Sequence, residues 1–415
     1  MMTTAHNLED ALGNLDPMLP LGPEDEAFFV ERDFSQRRQM VRRLQLALRT
    51  SPTRYSKFLF SGQKGSGKGT ELYRLNKELG AEFFLVHFSV QDKLDIYDLD
   101  YRDVVFSVGL GIVEAAKSVP AVANAIPDEM LKPIVDFFAE VYQEQHYKEK
   151  YESAVELKPG ILSLIAAFGR LGSERESRTT VRKRISGSLK LLVSAIGKLA
   201  RFVEERLGKK ILVIVEDLDK TNDEAARQLF FEYGKSLADI PVHVVYTFPV
   251  SLRNDQGFVQ NNAYFQDFNL PNISIYNRDE TDNNNGLGQL QRILTLRVSE
   301  GLFEPDALTL LAEQSGGLAR SLISLANKAC MNALLDNRLR ISVIDVRGAA
   351  AEERADYRRI LTFDQIDLLR KVRTSKLVDN SADYQQLLYN LSILEYRDDD
   401  PDPWYNVNPV VRDLL

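Results

Sequence analysis

The run Gly62-Gln-Lys-Gly-Ser-Gly-Lys68-Gly-Thr70 constrains this chain more than any other segment. It follows a short apolar stretch, Lys57-Phe-Leu-Phe-Ser61, that reads as a buried strand, and it precedes a helix over Glu71 to Leu79. Strand, glycine-rich turn and helix together form the context that a phosphate-binding loop requires. Glycines let successive backbone N–H groups curl around phosphate oxygens, and the helix N-terminus adds a favourable dipole. Gly62, Gly65, Ser66, Gly67, Lys68, Gly69 and Thr70 are therefore the expected binding residues, with Lys68 reaching the β- and γ-phosphates as a point charge. Gly69 stands where a Ser or Thr hydroxyl usually coordinates Mg²⁺, and Thr70 follows one position later.

A second buried strand, Phe83 to Val90, follows the helix, as a parallel α/β sheet demands. Further strands are expected at Ile211 to Val215, Val242 to Phe248 and Asn272 to Tyr276. The first of these delivers Glu216-Asp217-Leu218-Asp219-Lys220 at its C-terminal edge. Acids in that place complement a phosphate loop: one holds Mg²⁺ through water and the next orients the attacking water. Thr70, Glu216 and Asp217 are the expected metal residues. Upstream, Met40, Leu44 and Leu48 share one face of a helix over Phe34 to Leu48.

With these motifs in place the chain resembles an AAA+ ATPase, close to the branch that holds origin-recognition-type initiators and STAND signalling ATPases. Phe28-Phe-Val-Glu-Arg32 resembles the FVGRE box beside adenine, which nominates Phe29 and Val30. The acids at 216–219 resemble its DDLD motif, although Glu216 replaces Asp. The resemblance puts Thr247 at the polar sensor of the γ-phosphate and reads Ser315-Gly-Gly-Leu-Ala-Arg320 as the lid motif whose arginine, Arg320, contacts phosphate. It implies Glu216, Asp217, Lys68, Thr247 and Arg320 as the catalytic set, ATP and Mg²⁺ as cofactors, and a homo-oligomer. In such assemblies a neighbour's arginine completes the site, and Arg278, Arg292 and Arg297 are the candidates. Glu216 and Gly69 both alter the Mg²⁺ surroundings, which suggests firm nucleotide binding with slow hydrolysis.

The expected architecture is an α/β P-loop NTPase (AAA+) with a parallel five-stranded sheet. Residues 1–25 read as a loose leader, 26–280 as the nucleotide-binding core with a helical insert at about 104–206, 281–355 as a helical lid and 361–415 as a winged-helix-like module. In that last module helices are expected at Leu361 to Arg373 and Tyr384 to Leu394. Cys330 lies on the apolar face of a lid helix, where packing is its expected role.

Charge bears on partners. The net charge is −8, yet residues 161–210 carry twelve basic side chains against four acids, +8, which leaves −16 elsewhere. Any contact with DNA belongs to that segment; the tail at 361–415 has six basic residues and ten acids, four of them (Asp398, Asp399, Asp400, Asp402) at the wing tip, where they repel phosphate. A regulatory ATPase that oligomerises and controls a partner effector, as in prokaryotic anti-phage defence, is the first reading. A DNA-binding initiator or transposition regulator is the second, and a small-molecule kinase on the GKGT loop a distant third. The four histidines (His6, His87, His146, His243) and lone cysteine lack zinc-ligand spacing. No run approaches the ~20 apolar residues of a membrane span, and the acidic N-terminus lacks a signal-peptide pattern, so no membrane contact and a cytoplasmic location are expected.

Overall fold

The computed structural model describes residues 2–19, 21–30, 35–51, 55–92, 94–123, 125–127, 130, 175–261, 263–397 and 402–415. The sheet at its centre consists of β1 (Lys57–Ser61), β2 (Phe83–Ser89), β3 (Lys210–Glu216), β4 (His243–Phe248) and β5 (Gln266–Asn269), in the order β2-β3-β4-β1-β5 with parallel pairing throughout. This is the parallel five-stranded α/β sheet expected from the sequence, with the glycine-rich loop directly after β1.

Apolar side chains alternate between the two faces of β3. Leu212 and Ile214 pack with α2 (Ser35–Arg49) and α3 (Lys68–Leu79), whose Leu44, Leu48, Leu72, Leu75 and Leu79 are buried there. Ile211, Val213 and Val215 face α4 (Tyr101–Ser118) and α5 (Arg175–Leu207) on the other side. A sheet covered on both faces needs strands that are apolar at nearly every position, and VHVVYTF and KILVIV are of that kind.

The expected fifth strand at Asn272 to Tyr276 does not form. Pro271, without an N–H, cannot continue a ladder, and the sheet closes instead on Gln266–Asn269. The Ile273 N–H donates to Gly317 O at 3.3 Å, and Ile273 and Ile275 join the apolar core of the lid. The extended, alternating pattern was real, but the lid uses it. Similarly, the helix expected over Tyr384 to Leu394 ends at Tyr389, because Ile393 begins a strand.

The lid comprises α6 (Asn284–Arg297), α7 (Pro305–Gln314), α8 (Ala319–Leu335) and α9 (Val343–Ile360). Beyond it, α10 (Phe363–Ser375), α11 (Ala382–Tyr389) and the antiparallel hairpin β6 (Ile393–Tyr396) with β7 (Trp404–Val407) have the helix, helix, wing order of a winged helix. Most of the central insert, residues 131–174, and the wing-tip acids Asp398, Asp399 and Asp400 lie outside the described residues. No helix among those described is long and apolar enough to cross a membrane.

The first 25 residues depart most from expectation. They are not a loose leader: α1 (Leu8–Asn14), capped by the Asn7 side chain accepting from Asp10 N at 2.8 Å, packs into the lid. Leu8, Ala11 and Leu15 are buried against lid residues that include Leu325, Ala329 and Cys330, and the Cys330 thiol meets Leu8 O at 3.3 Å. Backbone bonds from Ala5 N to Arg297 O and from Ser299 N to Ala5 O fix the strap at its start. Short apolar residues scattered among acids hid this helix. Leu15→Ala should therefore cost about 2–5 kcal/mol, as for other fully buried leucines, read as a lowered midpoint in urea unfolding; a shift under about 0.5 kcal/mol would leave the strap without a structural role.

Candidate functional site

The parallel register brings the site together. Ser61 at the end of β1 pairs with Phe248, one residue past Thr247 of β4, and Ser89 at the end of β2 pairs with Glu216 of β3. The C-terminal ends of four adjacent strands thus carry the phosphate loop, the acids and Thr247 to one edge, where ligands of open α/β sheets bind.

In the loop, Gly65 and Gly67 have φ of 83° and 92°, the left-handed region that a side chain disfavours. A Cβ on Gly65 would also stand 3.0 Å from Arg320 Cβ, because the lid approaches there and the Arg320 N–H donates to Gly65 O at 3.1 Å. The Ser66 hydroxyl is buried with no partner among the described residues. An orphaned hydroxyl inside a curled glycine loop is the mark of a cradle for an anion. Lys68 is buried and turned inward, donating to Gly62 O at 2.7 Å and Gln63 O at 3.1 Å.

The acid paired with Lys68 is Asp219, at 2.9 Å. Burial would raise the Asp219 carboxyl, but the Lys68 charge and hydrogen bond, with a further bond from Thr247, outweigh it and hold the group below the usual carboxylate range. Thr247 Oγ1 also accepts from Leu218 N at 3.0 Å. Asp217 points elsewhere: it accepts from Ser89 Oγ at 2.6 Å and pairs with Lys220 at 2.7 Å, on a backbone with φ of 70°. Glu216 Oε1 is bonded to His87 Nε2, and His87 Nδ1 lies 3.1 Å from the Asn76 amide.

Beside this edge lies a cleft, partly open to solvent, lined by Phe28, Phe29, Val30, Ser66, Gly67 and Thr70, with Ile293 and Arg297 of the lid opposite. Phe29 packs near Tyr73, ring centroids 6.4 Å apart, and Val30 O accepts from Arg74 at 3.1 Å. Phe29 and Val30 therefore border the same cavity as Ser66, Gly67 and Thr70, whereas Gly62, Gly65, Lys68 and Gly69 do not line it. Glu31 and Arg32 of the same box lie outside the described residues.

The expected metal set does not converge. Thr70 faces the cleft, Asp217 faces Ser89, and Glu216 lies against Gly69, where a Cβ would stand 3.1 Å from Glu216 Oε2. A carboxylate already engaged with His87 thus lies against the place of the usual coordinating hydroxyl. Mg²⁺ needs near-octahedral oxygen donors, and these residues do not present them; no cluster of three or more His, Cys, Asp or Glu that could hold a metal occurs among the described residues.

Of the three candidate arginines, Arg297 is not on the surface. It is buried in its own cleft, donates to Ile293 O at 2.8 Å, and is lowered to about 10 by burial despite Asp25 nearby. Arg278 and Arg292 are exposed, as is Arg320, which touches the loop through its backbone.

Several participants escaped the sequence reading. Asp219 was visible in the acid run but carried no assigned role; Ser89 was recognisable only as a polar residue at a strand's C-terminal end. His87 gave no signal. Nor did Gln63, a variable loop position, whose amide donates to Ile393 O at 2.8 Å and accepts from Glu395 N at 2.9 Å. Those bonds seat the C-terminal hairpin on the phosphate loop, and Asn272 joins them at 2.5 Å from Gln63 Oε1.

No protein-family model matches the sequence, and no curated protein matches it either. Solved structures do. The Walker-type ATPase of Pyrococcus abyssi aligns at 14% identity and TM-score 0.46, over 97% of this chain and 99% of that one. The Aeropyrum pernix ORC2 protein, in ADPNP and ADP complexes, aligns at 13% and 0.43 over 94% and 95%. Cdc6p from Pyrobaculum aerophilum aligns at 13% and 0.42 over 94% and 97%. At these identities the likeness concerns the fold alone.

Thr247 has two partners, so its replacement is informative. Thr247→Val keeps the shape but strands the buried Leu218 N–H and removes a donor from Asp219, which should cost about 1–3 kcal/mol. Thermal unfolding of the full chain measures it, and an unchanged melting temperature would deny Thr247 this bridging place.

Proposed function

We propose that this chain is a nucleotide-binding regulatory ATPase in which the state of the phosphate loop is read by the lid and by the C-terminal module. The observation that carries the reading is that two separate parts of the chain bond directly to that loop: Arg320 N to Gly65 O, and β6 to the Gln63 side chain. Whatever rearranges residues 62–67 on binding phosphate must strain or release both contacts, and a ligand shifts such an equilibrium by its differential affinity for the two states. ATP is the proposed ligand, held by Lys68, Ser66 and the loop N–H groups, with Phe29 and Val30 beside the base.

Hydrolysis to ADP and phosphate is proposed to be slow. Asp217, the acid assigned to the attacking water, is turned onto Ser89 and Lys220, so it must be redirected before it can act. The trans arginine, Arg278 or Arg292 in this scheme, would come from a second copy, which ties turnover to assembly. A partner effector licensed by the assembled state, as in antiviral defence, belongs to the same proposal.

A second reading, DNA binding of the replication-initiator type, has a surface in its favour. Along α5, Lys190, Lys198, Arg201 and Arg206 are exposed while Leu199, Ala200 and Val203 are buried. Such a basic face would give binding that falls steeply between low and physiological salt; no binding to duplex DNA at low salt removes this reading.

Mass photometry with and without ATP tests the first. Wild type should shift to higher mass with ATP, and Lys68→Ala should not. Because Lys68 neutralises buried Asp219, Lys68→Ala/Asp219→Asn serves beside it to avoid a stranded charge. Assembly that ignores ATP, or that survives in both variants, would refute the switch. Turnover of tens per second, well inside the usual enzyme range of about 1–10³ per second, would refute slow hydrolysis.

A further inference from the structure

Three acids stand at the end of β3, and each is already answered by a protein group. Asp219 is answered by Lys68 and Thr247, Asp217 by Ser89 and Lys220, and Glu216 by His87. The third pairing is tied to an exchange of residue sizes. Glu216 Oε2 lies where position 69 offers no side chain, 3.1 Å from the point a Cβ would take. A side chain at 69 would crowd that oxygen and press it toward His87, and an Asp at 216, one methylene shorter, would reach less far toward His87. His87 is in turn held by Asn76, two turns along α3 from Gly69. Gly69, Asn76, His87 and Glu216 thus form one small polar unit across α3, β2 and β3.

From this unit we infer that the site binds its nucleotide without a protein-held divalent cation: the Glu216–His87 pair fills the position that a hydroxyl and its metal would share. The inference rests on the nucleotide reading above and on donor geometry. A metal entering here would have to break the Glu216–His87 bond and would gain no hydroxyl from position 69. Countercharge for the phosphates comes instead from Lys68, from the loop N–H groups at the start of α3, and from Arg320, whose backbone already touches Gly65.

The experiment is equilibrium binding of unlabelled ATP to the full chain by titration calorimetry, once in EDTA and once in excess Mg²⁺. The dissociation constants should agree within about threefold, which is under 1 kcal/mol. A tightening of tenfold or more with Mg²⁺ would overturn the inference while leaving nucleotide binding intact. Absence of binding in both buffers would overturn the nucleotide reading and this inference together.

Two variants sharpen the result. Gly69→Thr/Glu216→Asp restores the hydroxyl and shortens the acid, and it should acquire a Mg²⁺ dependence of at least about tenfold, roughly 1.4 kcal/mol; a double variant that binds equally in both buffers would show that position 69 and Glu216 do not decide the matter. Glu216→Gln preserves shape and the contact with His87, so it guards against misfolding of the double variant. Its affinity in Mg²⁺ should stay within about threefold of wild type, and a tenfold loss confined to Mg²⁺ would identify Glu216 as a metal-holding residue.

Discussion

The buried ion pair of Lys68 and Asp219 sets the terms for the rest of the site. It joins the first residue of α3 to the segment after β3 across the sheet edge, and it does so in a place that burial makes hostile to charge. A pair of that kind survives only where further hydrogen bonds satisfy both partners. Here Gly62 O and Gln63 O take the remaining ammonium protons, and Thr247 takes the carboxylate. The phosphate loop, the acid segment and β4 are therefore held by one connected network. A phosphate arriving at Lys68 competes with Asp219 for the same cation, so occupancy of the loop and the conformation of residues 216–220 cannot vary independently.

The same loop is also the meeting point of distant parts of the chain. The lid reaches it through Arg320 N, and the C-terminal hairpin reaches it through Gln63, with Lys64 lying 3.6 Å from the centre of the Tyr389 ring on α11. The hairpin contact has an apolar part, with Leu394, Tyr396 and Trp404 buried against Leu318 of the lid, and a polar part. Glu395, buried, accepts from Asn269 at 2.6 Å and lies 3.6 Å from Arg253, which is itself paired with Asp267. The polar part leaves several groups unpartnered, among them Arg253 Nε and Asp267 Oδ1.

What was legible in the sequence was what depends on local pattern. The apolar runs of β1 to β4, the glycine loop and the heptad-like lid helices declare themselves because each meets a local requirement of burial or backbone geometry. The failures have one cause in common. Asn272–Tyr276 has the alternation of a strand, but its partner is Gly317 in the lid; α1 has too few apolar residues to announce a helix, but its groove is supplied by α8; Arg297 looks like any lid arginine, and only the fold places it in the cleft. In each case the deciding contact is with a segment far along the chain, which no local pattern encodes. Glu216 and Gly69 were legible as departures, yet the reason for them, His87, is separated from both in sequence and visible only through the register that sets Ser89 beside Glu216.

The acidic C-terminal module makes sense in the same terms. A winged helix that presented its wing to a phosphate backbone would gain from basic residues there, and this one carries acids. Its buried acid, Glu395, is turned inward to Asn269 and Arg253, and Lys376 on the far end of α10 is spent on Glu280 of the segment leading to the lid. Glu395 and Lys376 are thus committed to the chain's own contacts. The hairpin that would face a nucleic acid is the element seated on Gln63, so any use of that surface by an external partner must begin with its departure from the phosphate loop.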